Sequence, residues 1–121
     1  LKHSDGNLWP LLDMLVDAGP ECINPLEPVA GMDMADVKAQ YGDRVSLAGN
    51  IDCGDLLSNG STDDVVRAVK QCIADGGPNG GFLLCSSNSI HSSVKPENYL
   101  AMVRAGQEYG EYPLNLDRLQ A

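Results

Sequence analysis

Basic residues are scarce in this chain of 121 residues, which carries 8 Lys and Arg against 17 Asp and Glu and a formal net charge of −9. A protein that binds the phosphate backbone of nucleic acid needs a basic surface that displaces counterions, and an anionic membrane surface makes the same demand. The sequence therefore argues against both partners. The acidic balance instead favours solubility.

Long apolar runs are also missing, since none approaches the roughly 20 residues that a membrane-spanning helix needs. No basic segment followed by an apolar core opens the chain, so we expect no secretion signal. The four cysteines form no CxxC pair and no zinc-finger spacing, which predicts reduced, mostly buried thiols in a cytoplasmic protein. The abrupt start at Leu1, with His3 already among site-like residues, predicts a missing upstream portion.

What the chain does contain is a regular alternation of strand-like and helical patterns. Apolar runs end near residues 4, 25, 50 and 86, and each precedes a segment with apolar residues at helical spacing. The helical segments begin at the caps Asn7, Asp33 and Ser61, and at Pro96. Alternation on this scale predicts right-handed βαβ units, a parallel sheet and the α/β class.

Four such units, with the first strand truncated, amount to about half of a (β/α)8 barrel, whose usual size is about 250 residues. We therefore expect residues 1–121 to form one partial barrel domain, with no strong pattern in the tail at 111–121. A half barrel has two open sheet edges, which are prone to aggregate unless they pair. Either the chain is a fragment or copies of it associate, and we expect a homodimer or a higher oligomer.

Details of the later elements can also be predicted. The second and third strands are expected at Glu21–Pro28 and Val45–Asp52. The glycines between residues 76 and 81 lie between a helix and the next strand, so we interpret them as a turn; a phosphate-binding loop lies between a strand and the following helix. In the last helix the spacing predicts an inward face made of four residues: Tyr99, Leu100, Val103 and Gly106.

Polar side chains follow each predicted strand, where the ligands of parallel α/β proteins collect. His3 and Asp5 pair a titrating imidazole with a carboxylate, which suits acid–base catalysis or metal binding. A small-molecule substrate is expected to meet seven further residues: Asn24, Glu27, Asn50, Asp52, Asn88, Ser89 and His91. The simpler alternatives are a loop histidine at a frayed terminus, a solvated Glu27 and a polar loop that only caps the last helix.

Four segments, in this order and spacing, resemble the uroporphyrinogen decarboxylase family. They are HSDGNLWPLL from His3, NPLEPVAGMDM from Asn24, LAGNID from Leu47 and SSNSIHSSVKPENYLAMV from Ser87. The resemblance implies a (β/α)8 barrel, with this chain as its C-terminal half. It also implies a lyase of porphyrin biosynthesis that needs no cofactor and that decarboxylates a tetrapyrrole-like polycarboxylate by protonating a pyrrole-type carbon.

The chain departs from the family after the last strand. In the decarboxylase a Gly-His-Gly segment precedes the last helix, and Asn88 stands where its histidine is. In the related methyl-corrinoid:coenzyme M methyltransferases a His-x-Cys pair and a later Cys bind zinc, and the matching positions here are His3, Asp5 and Asn88. Three hypotheses stay open: a decarboxylase fragment, a methyltransferase-like enzyme with zinc on His3, Asp5 and Glu27, or an inactive folded half barrel.

Overall fold

The structure is a computed structural model that describes residues 1–121. Its four strands form one parallel sheet in which each strand pairs with the next along the chain. They are β1 (Lys2–His3), β2 (Cys22–Asn24), β3 (Ser46–Ile51) and β4 (Phe82–Ser86). The predicted α/β class and parallel sheet are thus confirmed. The second strand is shorter than the sequence pattern predicts.

Six α-helices follow the strands. They are α1 (Leu12–Asp17), α2 (Met34–Tyr41), α3 (Leu56–Asn59), α4 (Thr62–Gly76), α5 (Pro96–Tyr109) and α6 (Leu116–Gln120). Short 3-10 turns at Trp9–Leu11 and Pro28–Ala30 lead into α1 and α2. The sequence pattern predicts neither α3 nor α6, because four or five residues are too few to show a helical period.

Two of the three predicted side-chain caps are confirmed. The Asp33 side chain accepts a hydrogen bond from the first turn of α2. Ser61 and Asp64 form a reciprocal capping box at the start of α4. The third prediction is off by one residue, because the N-cap of the first helical turn is Leu8 and not Asn7. Asn7 still helps to start the turn, since its Oδ1 accepts the Trp9 N–H at 3.0 Å.

The core lies between the sheet and the helices. Right-handed crossovers between strands in sequential order place all the helices on one face of the sheet. Ile23 and Leu47 point to that face and are 1% and 0% exposed, whereas Leu83 of β4 points the other way and is 55% exposed. In a closed barrel that second face is the interior.

The inward face of α5 differs from the prediction. Tyr99 and Leu100 are 40% and 47% exposed, and the buried residues of the helix are Asn98, Met102 and Ala105. The prediction was wrong for Tyr99 and Leu100, whereas Val103 packs against the core and Gly106 lies against Leu84. The error arose because the spacing argument counted only apolar residues. A buried asparagine set the rotation of the helix instead.

Asn98 and Lys95 fasten the start of α5 to the end of α3. The Asn98 Nδ2 donates to the carbonyls of Leu57 at 3.1 Å and Gly60 at 2.9 Å. The Lys95 Nζ donates to the carbonyls of Asn59 at 3.0 Å and Gly60 at 3.1 Å. The last carbonyls of a helix have no hydrogen-bond donor within the helix. The segment Lys95–Asn98 supplies the donors that α3 lacks.

The predicted glycine turn and the predicted burial of most cysteines are confirmed. The glycine-rich segment forms the turn between α4 and β4. All four cysteines are free, three of them buried and Cys85 half-buried. No helix of the structure combines the length and the apolar character needed to cross a membrane.

Candidate functional site

His3 and Asp5 meet just beyond the end of β1. The His3 Nε2 lies 3.0 Å from the Asp5 Oδ1, with the two side chains 48% and 57% exposed. The imidazole and the carboxylate, both expected just past the end of the first strand, are therefore in contact. Both groups remain open to solvent, and hence to a ligand.

Asn24 completes the surroundings of the imidazole. It is the partner of His3 in the parallel register of β1 and β2, and its Oδ1 lies 2.6 Å from the His3 Nδ1. Both ring nitrogens thus face an acceptor oxygen. The imidazolium form, which carries a proton on each nitrogen, donates to both at once.

Asn88 joins the same group from the other side of the sheet. Its Nδ2 donates to the Asp5 Oδ1 at 3.2 Å, across 83 positions of sequence. The carboxyl ends of parallel strands meet at one edge of a sheet, and the curvature of this sheet brings its first and last strand ends into contact. We call His3, Asp5, Asn24 and Asn88 the strand-end cluster.

Cys85 lies beneath the cluster and was not among the predicted site residues. Its Sγ is 3.4 Å from the Asn24 Nδ2. Burial, followed by the proximity of Cys22, raises the pKa of the Cys85 thiol and outweighs the opposing hydrogen bond from Asn24. The thiol is therefore neutral at neutral pH. Alternation along β4 could have indicated it, because Cys85 shares the open face with Leu83.

Glu27 lies at the edge of the cluster but is engaged with the backbone. Its Oε2 accepts the N–H of Gly6 at 2.7 Å and so ties the loop after β1 to the loop after β2. No group of three His, Cys, Asp or Glu side chains in the structure is arranged to hold a metal ion. The residues present therefore do not fit the zinc site proposed on His3, Asp5 and Glu27.

Asn50 and Asp52, after β3, also bind backbone groups. The Asn50 Nδ2 donates to the carbonyl of Leu26 and, at 2.8 Å, to that of Met32. These bonds hold the loop that leads into α2. Both side chains line a cavity of about 310 Å³ with Gln71 of α4, on the helix side of the sheet and apart from the strand-end cluster.

Asp52 organises the loop before α3. Its two carboxylate oxygens accept the N–H groups of Gly54, Asp55 and Leu56 at 2.9 to 3.0 Å. Partial burial opposes ionisation, but these three hydrogen bonds outweigh it and lower the pKa of Asp52. The carboxylate is therefore committed to the fold of its own loop.

Ser89 and His91 lie in the exposed loop after β4 and make only local contacts. The Ser89 N–H donates to the Asn88 Oδ1 at 2.8 Å, which helps to orient the Asn88 amide. The His91 Nδ1 accepts the Ser93 N–H at 3.3 Å. Of the predicted site residues, the structure thus joins His3, Asp5, Asn24 and Asn88 directly. The other five make backbone or local contacts.

Comparison with protein families gives one clear match. The model described as "Uroporphyrinogen decarboxylase (URO-D)" matches residues 1–109. Uroporphyrinogen decarboxylases of Mannheimia succiniciproducens and Psychromonas ingrahamii are 30% and 32% identical to the chain over 110 and 108 residues. The alignments cover 88% and 89% of this chain but 28% of each relative. The chain therefore spans less than a third of the length of these relatives.

Among solved structures, a methyltransferase from Methanosarcina mazei is similar to this chain. The TM-score is 0.77 and the sequence identity 26%, over 90% of this chain and 31% of the methyltransferase chain. The four βα units thus recur as one part of a larger protein.

Proposed function

This chain belongs to the uroporphyrinogen decarboxylase family, and we propose that it forms one wall of a barrel active site that decarboxylates a tetrapyrrole-like polycarboxylate without a cofactor. In this proposal its four parallel βα units are the C-terminal half of a (β/α)8 barrel, a position supported by the family match and by the sequential strand order. The observation that carries the proposal is His3, held at the strand ends between the oxygens of Asp5 and Asn24.

His3 is the proton donor of the proposed reaction. Loss of CO2 leaves the bonding electron pair on carbon, and a proton must be supplied for hydrogen to replace the carboxyl group. An imidazolium that donates to Asn24 and Asp5 is positioned to protonate a pyrrole-type carbon. The proton comes from Nε2, the ring nitrogen that faces the exposed Asp5. Asp5 balances the charge of the imidazolium before transfer.

Asn88 supplies a neutral contact for substrate. Its amide donates one N–H to Asp5, and an amide nitrogen has two. The second N–H suits a carboxylate or carbonyl oxygen of the substrate. Since the chain carries a net charge of −9, the cations that balance a polycarboxylate come, in this proposal, from outside these 121 residues.

The test grafts this chain into the barrel of a decarboxylase relative, in place of the segment that it matches. We expect the grafted protein to convert uroporphyrinogen into coproporphyrinogen, measured by chromatography of the oxidised products. His3→Ala in the graft should lower kcat by about 10²- to 10⁴-fold, the usual contribution of a positioned acid.

The matched control is the same graft made with the corresponding segment of a second decarboxylase. It separates failure of the procedure from failure of the chemistry. A folded, monodisperse graft of this chain that forms no product, beside a control graft that turns over, would falsify the decarboxylase proposal.

Methyl-group transfer is the second candidate, and the similarity to the methyltransferase structure favours it. A zinc-dependent version requires ligands that the chain does not arrange as a group of three, and both His3 nitrogens already face acceptor oxygens. We therefore derive no step through a metal. Elemental analysis of the chain and of the graft tests the candidate, and it loses its support if neither holds stoichiometric zinc.

We further propose that the isolated chain is inactive and self-associates. β1 and β4 are the two open edges of the sheet, and all strands run parallel. The β4 edge of one copy can therefore pair with the β1 edge of another, and two copies supply eight strands with no edge left open. Light scattering should give a dimer or larger species. A monodisperse monomer contradicts the proposal.

A further inference from the structure

The side chain of Asn24 contacts all three of the other strands. Its Oδ1 lies 2.6 Å from the Nδ1 of His3 in β1. Its Nδ2 lies 3.4 Å from the carbonyl oxygen of Ala48 in β3 and 3.4 Å from the Sγ of Cys85 in β4. Both N–H groups and one lone pair of the amide are thus engaged within the protein.

The contact with Ala48 fixes which end of the amide faces His3. A backbone carbonyl only accepts hydrogen bonds, so the NH2 group of Asn24 must point towards β3. The oxygen of the amide then faces the imidazole. An oxygen in that position requires a proton on the facing ring nitrogen, because a bare nitrogen there would place two lone pairs against each other.

We propose that Asn24 is a positioning residue that holds a proton on the Nδ1 of His3 and leaves Nε2 as the nitrogen that exchanges a proton with the ligand. The chemical use of Nε2 rests on the function proposed above, whereas the position of the Nδ1 proton does not. Asn24 thereby sets the tautomer of His3 without touching the reacting atoms.

Asp5 does not override this preference. Its side chain is 57% exposed and is otherwise held only by the Asn88 amide, 3.2 Å away, so it can turn into solvent when Nε2 has lost its proton. Asn24 is a half-buried strand residue that is held on two sides, so its oxygen cannot turn away without breaking contacts with β3 and β4. The neutral imidazole therefore keeps its proton on Nδ1.

This arrangement also changes the role expected of Asn24. From the sequence, Asn24 is expected among the residues that bind substrate. With both N–H groups engaged, the amide has no donor left to offer a carboxylate. Its effect on a ligand runs through the His3 ring.

The test is long-range ¹H–¹⁵N NMR of the labelled chain at about pH 8.5, two units above the usual imidazole pKa of about 6.5. We expect the Nδ1–H tautomer for His3 in the unmodified chain and the Nε2–H tautomer in Asn24→Leu, where Asp5 becomes the remaining acceptor. Asn24→Asp keeps an acceptor oxygen towards the ring, so it should restore the Nδ1–H tautomer.

His91 is the internal control, since it is the only other histidine. Its Nδ1 accepts the Ser93 N–H, so its proton should stay on Nε2 in all three proteins. An Nε2–H tautomer for His3 in the unmodified chain overturns the proposal, and this result does not depend on whether the Leu variant folds. An unchanged Nδ1–H tautomer in a folded Leu variant overturns it equally.

The grafted enzyme separates this inference from the proposed function. There, Asn24→Leu should lower kcat by about 10-fold or more with little change in KM, whereas loss of a substrate contact would raise KM. A graft without activity, in a protein whose His3 shows the Nδ1–H tautomer, refutes the decarboxylase proposal and leaves the role of Asn24 standing.

Discussion

The backbone of Gly49 lies directly against the carbonyl of Pro25. A Cβ built on Gly49 would be 1.8 Å from the Pro25 oxygen, and Gly49 has a φ of +138°, a conformation that L-residues rarely adopt. Gly49→Ala should therefore lower the free energy of unfolding by at least about 3 kcal/mol, since the clash adds to the backbone strain. Urea denaturation followed by circular dichroism measures the change.

Gly6→Ala is the matched control for Gly49→Ala. Gly6 also has a positive φ, +81°, but no atom lies within 4 Å of a Cβ built there. Only the conformational strain remains, so the expected loss is about 1 to 2 kcal/mol. Equal losses in the two variants would show that the contact with Pro25 is unimportant.

Asn98→Ala should destabilise the chain because it removes the partner of buried carbonyls at the end of α3. Asn98 is 1% exposed and donates to the carbonyls of Leu57 and Gly60. Leaving a buried acceptor unsatisfied costs about 1 to 3 kcal/mol, so we expect a loss of about 2 to 4 kcal/mol in urea denaturation. Gln107→Ala, at an exposed position of the same helix, should change stability by less than about 0.5 kcal/mol.

The Asp52 carboxylate should make stability depend on acid pH. Three backbone N–H groups hold its folded-state pKa below the value in the unfolded chain, about 3.9. The ionised form therefore stabilises the fold above about pH 4, and this contribution disappears as the pH falls through the folded-state pKa. Asp52→Asn should cost about 1 kcal/mol at pH 7 and progressively less towards pH 3.

Thermal unfolding of both proteins across that range tests the prediction. Asp43→Asn is the control, because Asp43 is exposed and, unlike Asp52, its carboxylate organises no backbone N–H groups. A difference between Asp52→Asn and the unmodified chain that is constant from pH 7 to pH 3 would exclude the proposed role of the carboxylate.

Cys72 should give the opposite dependence at alkaline pH. Burial, with smaller effects of Asp75 and Cys85, raises the pKa of the Cys72 thiol to about 12. In the unfolded chain the value is about 8.5, so the neutral thiol stabilises the fold below that pH and the contribution is lost as the pH rises towards 12. The destabilisation caused by Cys72→Ala at pH 7 should therefore shrink by about pH 10.5.

The measurement is the difference in Tm between the two proteins from pH 7 to pH 10.5. Its value at pH 7 serves as the internal reference for the packing lost with the Sγ atom. A difference that stays constant or grows with pH contradicts a protected neutral thiol.

From the sequence, Asp5 and Asn88 are each expected just after a strand end, and the strand ends of a parallel sheet share one edge. The structure adds the direct contact between them, across 83 positions. Asn50 and Asp52 are expected at the same edge, but their side chains form hydrogen bonds with backbone groups of loops, which the sequence does not predict. That outcome depends on the path of the neighbouring loops, which no periodicity encodes. The ligand-binding roles of these residues remain predictions.

The rotation of α5 shows a second limit. A pattern of apolar residues assigns Tyr99 and Leu100 to the core, whereas the buried position next to them belongs to Asn98. A buried asparagine needs hydrogen-bond acceptors for its amide group. Here the acceptors are carbonyls at the end of α3, a helix too short to recognise in the sequence. One missed element therefore led to the second error.

β1 is paired at only two positions, and both of its residues are exposed. An edge of this kind opens at a free energy far below that of global unfolding. Each opening carries His3 away from Asn24 while the better-packed strands stay folded. Hydrogen exchange of the Ser4 amide, which donates to the Asn24 carbonyl, counts these openings. A segment or a second copy that covers the β1 edge suppresses these openings. It therefore sets the fraction of molecules in which the strand-end cluster is assembled, and so grades the activity of the site.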